Sequence, residues 1–212
     1  MSQEGLGGRI DIINETEAAD VTTLYASIDK LNVHGAGLTV PEDARAVIKP
    51  WHERESTTHS AESDTDDEMI IHIPFAENVR VRSVLLKLGR GELAPGRLRI
   101  YANRPNIVGF EEASSGDLKP HLDIRLRQDV ADVTEYPLRA PTFANIHSLS
   151  LFFNQSAGGN NTRVYYIGFK GSTQSQKKDA DQKLEIRAEN ASDAKLIDRL
   201  QEKAAGQQTT AR

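Results

Sequence analysis

From Met69 onward, apolar and polar residues alternate with a period of two. Met69, Ile71, Ile73 and Phe75 fall on one side of the pattern, and Ile70, His72 and Pro74 on the other. Such alternation marks a strand with one face turned to a core. Just ahead of it, Glu62 to Glu68 is an acidic run that stays solvated, so the core begins at this junction. Pro74 has no N–H to give to a ladder, which predicts an edge strand or a strand end there.

The same period recurs downstream. Val79 and Val81 point inward, then Val84, Leu86 and Leu88 do, and this change of phase predicts a bulge or a strand buried on both faces. Further strands are predicted around Leu98 and Ile100, around Leu122, Ile124 and Leu126, around Leu149, Leu151 and Phe153, over Arg163 to Gly171, and over Lys183 to Ala188. Turn residues separate them: Glu77-Asn78, Ala94-Pro95-Gly96, Ser114 to Asp117 and Ala157 to Asn161. Short strands in series without long helices between them predict an all-β fold, an antiparallel β-sandwich of jelly-roll type.

The ends read differently. Residues 1–19 are a polar, glycine-rich leader, and the sandwich domain is expected over 20–190 with an irregular wrapping segment at its start. In that segment Asp20 caps a short helical turn carrying Leu24, Tyr25 and Ile28, Asn32 to Gly37 forms a turn, and Pro41-Glu42-Asp43 opens a brief helix. Trp51, the one tryptophan, is expected to pin the wrapping segment to the core, and Glu53 to Glu68 to be an exposed loop. In the tail, 191–212, Ser192 caps a short helix with Leu196, Ile197, Leu200 and Ala204 on one stripe.

Composition narrows the chemistry. The 212 residues contain no cysteine, which excludes disulfides, thiolate metal sites and a cysteine nucleophile. The N-terminus lacks an apolar signal region, and no apolar run approaches the ~20 residues of a membrane span, so a cytoplasmic and/or nuclear protein without a membrane partner is expected. The formal net charge of -5 gives no general attraction to nucleic acid, making it an unlikely partner. Aligned on Asp64, an EF-hand loop would need glycine at Met69 and glutamate at Phe75, so that calcium motif fails. Gly89 to Ala94 satisfies a dinucleotide-binding pattern in letters only, because Pro95-Gly96 and a strand follow where a helix is required. The six histidines are scattered without metal-ligand spacing. No catalytic residue, cofactor or metal site is expected.

Two charged features remain as candidate partner-binding residues. Arg80 and Arg82, if their strand pairs with that of Arg97 and Arg99, form a basic stripe on an outer face. The acidic residues Asp64, Asp66 and Asp67 are the second. An alternative function is binding of a small molecule or carbohydrate in the loops Gly89–Gly96 and Ala157–Thr162, as other jelly rolls do.

Four segments in order, Leu24-Tyr25-Ala26-Ser27-Ile28-Asp29, Lys49-Pro50-Trp51-His52-Glu53-Arg54, Glu62 to Phe75 and Val164-Tyr165-Tyr166-Ile167-Gly168-Phe169-Lys170-Gly171, together resemble the PITH (proteasome-interacting thioredoxin) domain. The resemblance runs from about Asp20 to about Ala188, and the missing cysteines make it similar to the stand-alone type without a thioredoxin module. It implies a jelly-roll sandwich and a non-enzymatic adaptor whose partners are subunits of the proteasome regulatory particle. Asn190 to Lys195 departs from the family pattern, lacking its proline and histidine.

Overall fold

The computed structural model describes residues 22–104 and 106–174. The expected leader, the Asp20 cap, the Lys183–Ala188 strand and the Ser192-capped helix lie outside the described residues. Within them the strands are β1 Thr22–Thr23, β2 His34–Ala36, β3 Ala61–Glu62, β4 Met69–Leu88, β5 Pro95–Ala102, β6 Leu122–Arg125, β7 Thr134–Pro137, β8 Ile146–Ser156 and β9 Arg163–Thr173. Two short helices accompany them, α1 at Asp43–Ala46 and α2 at Phe110–Ser115.

β4 is the member the other strands are built on. Its first part, Met69–Pro74, pairs with β8 and, on its other side, with β2. β8 continues to β5, and β5 to β6. The second part, Val79–Leu88, pairs with β9 and over Ser83–Leu86 with β7, while β1 and β3 both add to β9. All pairings are antiparallel, and the two sets of strands form the expected β-sandwich.

Pro74 is therefore neither a strand end nor on an edge. The register shifts between Pro74 and Val79, and the missing N–H falls at that break. The carbonyl of Pro74 is used by the Asp29 N–H at 3.0 Å, so the wrapping segment seals the kink.

The alternation predicts the core well. Met69, Ile71, Ile73, Leu98, Ile100, Leu149, Leu151 and Phe153 of the first sheet meet Val84, Leu86, Val164, Ile167 and Phe169 of the second in one buried cluster. The change of phase after Val81 is a bulge, because the register with β9 shifts between Val81 and Ser83. One extra residue, Arg82, lets Val79 and Val81 face the same core as Val84, Leu86 and Leu88. The outer face of the first sheet has its own apolar cluster, in which Ile70, Tyr101 and Phe152 are covered by Val108 and Ala113. The Phe110 ring meets Phe152 edge-on, with centroids 6.3 Å apart.

The wrapping segment is more ordered than its composition suggests. The expected turn around Leu24 is a single 3-10 turn at Tyr25–Ser27 with Leu24 and Ile28 buried, and α1 starts just after Pro41-Glu42. The segment Asn32 to Gly37, expected as a turn, contains β2. The loop expected over Glu53 to Glu68 contains β3, with Ala61 and Ser63 fully buried. Both strands are too short to show a period, and each exists because an adjacent long strand offers it an open ladder.

Candidate protein-interaction surface

Trp51 does not pin the wrapping segment to the core, since it is 40% exposed. Lys49 does. It is only 5% exposed, and its Nζ donates to the carbonyls of Ser56 at 3.0 Å, His59 at 3.0 Å and Tyr165 at 2.9 Å. Burial lowers its pKa, while the nearby Glu53 carboxylate acts in the opposite direction. Three oriented carbonyls satisfy all three ammonium protons, which is what allows a charge at this depth. Ile167 N–H donates to the Val47 carbonyl two residues earlier, so the chain entering the 3-10 turn Trp51–Glu53 is stitched to β9 at two points.

The outer face of the second sheet lies beside this turn. Tyr166 pairs with Lys87, Gly168 with Leu85 and Lys170 with Ser83. Leu85 and Tyr166 are buried although they face away from the main core. Burial pushes the Tyr166 phenol up to about 12, with the charge of Arg54 acting weakly against it. Gly168 is required here, because a Cβ would overlap the Tyr166 ring. Ion pairs tie the face together: Lys87 to Glu55 at 2.5 Å and Lys170 to Glu135 at 2.6 Å, with Ser83 Oγ donating to Glu135 at 2.6 Å. The hydrogen bond from Lys87 holds the Glu55 carboxyl below its ordinary pKa.

On this frame stands Trp51. The Arg54 guanidinium lies 4.1 Å from its ring centre and donates to the Trp51 carbonyl at 2.9 Å, while Lys170 Nζ is 5.7 Å from the ring. An exposed indole braced by two cations and fastened through Lys49 keeps its orientation without being buried. Such a side chain has large contact area and little freedom left to lose on binding.

The charged residues singled out in the sequence are distributed differently. Arg80 and Arg82 are on the part of β4 that pairs with β9, whereas Arg97 and Arg99 are on β5, and β8 separates the two strands. The strands do not pair, so no single stripe forms from the four. Arg97 makes a two-pronged pair with Asp123, 2.7 Å at each contact, and Arg99 donates to the Ala113 carbonyl and lies 3.6 Å from Asp123. These two arginines lock β6 and α2 to β5. Arg80 is exposed.

In the acidic loop, Asp67 is structural: its carboxylate accepts the Ser156 N–H at 2.6 Å and its carbonyl accepts the Thr162 hydroxyl at 3.0 Å. Asp64 and Asp66 are exposed. Together with Thr65, Glu68, Gly159 and Asn160, Asp66 and Asp67 line an open cleft of about 670 Å³. No aromatic ring is among these lining residues, while Phe110 lines the adjoining hollow with Gly37, Asp64, Thr65, Asp66 and Glu68. Among the described residues no group of three or more His, Asp or Glu side chains is placed to share a metal ion, and no helix is long and apolar enough to cross a membrane.

The PITH domain model matches residues 14–189. A PITH domain-containing protein of Drosophila melanogaster is 30% identical over 161 residues, covering 76% of this chain and 74% of its own. PITH domain-containing protein 1 of Danio rerio is 31% identical over 148 residues, covering 70% and 69%. The human PITH domain-containing protein 1 is 29% identical, covering 70% and 68%. Among solved structures, truncated AlyQ with CBM32 and alginate lyase domains superposes with a TM-score of 0.50 at 10% identity, over 73% of this chain and 34% of that one. That likeness is one of fold alone. With Lys49 to Arg54 and Val164 to Gly171 meeting on one face of the sandwich, and the family model spanning the domain, the chain belongs to the PITH domain family.

Proposed function

We propose that this chain is a non-enzymatic adaptor of the cytoplasm and/or nucleus that docks on the proteasome regulatory particle through the Trp51 face. The observation that carries the reading is the exposure of Trp51, 40%, on a turn fastened by a buried lysine. Trp, Tyr and Arg are enriched among the residues that dominate the energetics of protein interfaces, and here Trp51 and Arg54 stand together. Family membership supports the choice of partner. Arg80, with Arg82 beside it, is a secondary contact in this reading, while Arg97 and Arg99 serve the fold.

The test is binding of the full-length chain to purified regulatory particle, with capture from lysate scored for lid and base subunits. Trp51→Ala removes an interface anchor and is expected to weaken binding by about 30-fold, a loss of ~2 kcal/mol. Charge reversal at Arg80 and Arg82 is expected to reduce the association rate and its salt sensitivity. No binding by the unaltered chain sinks the adaptor reading. Binding that is indifferent to Trp51→Ala and Arg54→Ala moves the contact to another face.

A further inference from the structure

The fold gathers histidines that are far apart in the chain. His34 of β2 is the direct cross-strand partner of His72 of β4, and the two strands are antiparallel. Side chains directly opposed in such a pair emerge on the same face with Cβ atoms ~4.5–5.5 Å apart, which lets two imidazoles converge on one ion. On the far side of His72 its partner is Ser150 of β8, and His72 Nδ1 lies 2.9 Å from Ser150 Oγ. We propose that His34 and His72 form a two-histidine site for a divalent transition-metal ion of borderline softness, zinc or copper, whose remaining positions are left for water or for a ligand from a partner.

The choice of these two nitrogen donors follows from what each histidine already does. In the tautomer that donates Nδ1–H to Ser150 Oγ, His72 keeps the Nε2 lone pair for a metal, the arrangement by which an outer hydrogen bond fixes a ligating imidazole. Ser150 is 1% exposed and cannot turn away to water. His34 is exposed, so an ion reaches the pair from solvent. His121, just before β6, is excluded: its Nδ1 accepts the Ala102 N–H at 3.1 Å, so in the neutral ring the proton is on Nε2 and no lone pair remains. His147, a neighbour of His72 on β8, does not join it in a group of three ligands. The site therefore stands as a pair, in keeping with the absence of any group of three ligands among the described residues. Imidazole donors without carboxylates favour zinc, nickel or copper over calcium and magnesium.

Calorimetric titration of the full-length chain with Zn²⁺, repeated with Ca²⁺ and Mg²⁺, tests the proposal. One Zn²⁺ per chain is expected, lost in His34→Ala and in His72→Ala and unchanged in His121→Ala. Ser150→Ala, which frees the His72 ring to rotate, is expected to weaken zinc about 10-fold or more. The Cu²⁺ complex is expected to show two equatorial nitrogens in its electron paramagnetic resonance spectrum. Because His72 is part of the central strand, circular dichroism checks its variant for folding, and exposed His34 carries the test alone if that variant fails. Zinc binding that survives His34→Ala, fractional uptake spread over all the histidines, or calcium bound as tightly as zinc means an adventitious ion only and overturns the assignment.

Discussion

Replacing Lys49 by methionine keeps the length of the side chain and removes its charge and three donors. The carbonyls of Ser56, His59 and Tyr165 then lose their partner in a place that is 5% exposed. At ~1.5–3 kcal/mol for each hydrogen bond to a charged group, the three bonds contribute roughly 4.5–9 kcal/mol. Against this, methionine avoids the several kcal/mol spent on taking an ammonium out of water, so the net loss is expected to be about 2–4 kcal/mol. That is a large share of the ~5–15 kcal/mol that holds a domain together. Urea denaturation followed by tryptophan fluorescence measures it, with the midpoint falling and the slope unchanged. The loss has a local signature too: the turn Trp51–Glu53 is released from β9, and trypsin gains access to the bond after Arg54. A variant within ~0.5 kcal/mol of the parent, with Arg54 cut no faster, refutes the assignment of Lys49 as the fastener.

Trp51→Ala is expected to change stability by less than ~1 kcal/mol while weakening binding, since the ring is partly exposed and its cation contacts are at the surface; thermal unfolding separates the two effects. Gly171→Ala is expected to prevent folding or to cost more than ~3 kcal/mol, because the added Cβ overlaps the Arg80 carbonyl oxygen and backbone cannot step aside; soluble yield and urea midpoint report it. The hydrogen bonds from Arg97 hold the Asp123 pKa below its ordinary value. A carboxyl depressed in the folded state stabilises above its unfolded pKa of ~3.9, and that contribution is lost as pH falls through the folded value. Asp123→Asn is therefore expected to lower stability at pH 7 and to flatten its decline below about pH 4, measured as melting temperature against pH.

The sandwich was legible because its long strands carry their burial in their period. The phase change after Val81 even located a bulge, since one additional residue is the only way to keep Val79 and Leu86 facing the same side. The acidic run before Met69 did not mark the start of the core, because Leu24, Ile28, Val47 and Ala61 of the preceding segment belong to the same buried cluster. What escaped had no period to offer. β2, β3 and β7 have two to four residues each, and a neighbour's free backbone, not their own side chains, makes them strands. α2 was not foreseen, only its end at Ser114 and Ser115 having read as part of a turn, because its burial comes from covering Phe152 and Ile70 from outside.

The face around Trp51 was half visible. The aromatic and basic residues of Lys49 to Arg54 stood out, but their roles were exchanged: the residue type expected outside is buried and the one expected inside is exposed. Only a count of carbonyls converging on Lys49 Nζ reveals this, and those carbonyls come from positions 7 to 116 residues away. The arginine stripe failed for a topological reason. Strands consecutive in the chain, β4 and β5, are not adjacent in the sheet, and no local pattern records the intervening β8. His34 and His72, which looked scattered, are brought opposite each other by the β2–β4 pairing.

β4, at 20 residues, belongs to both sheets without interruption. A crack opening along either side of the sandwich must therefore travel down a shared backbone, and neither layer has a way to melt while its counterpart persists. Hydrogen exchange should report this as one common opening free energy for amides of β8 and β9, although those strands lie in different layers and are linked by hydrogen bonds through β4.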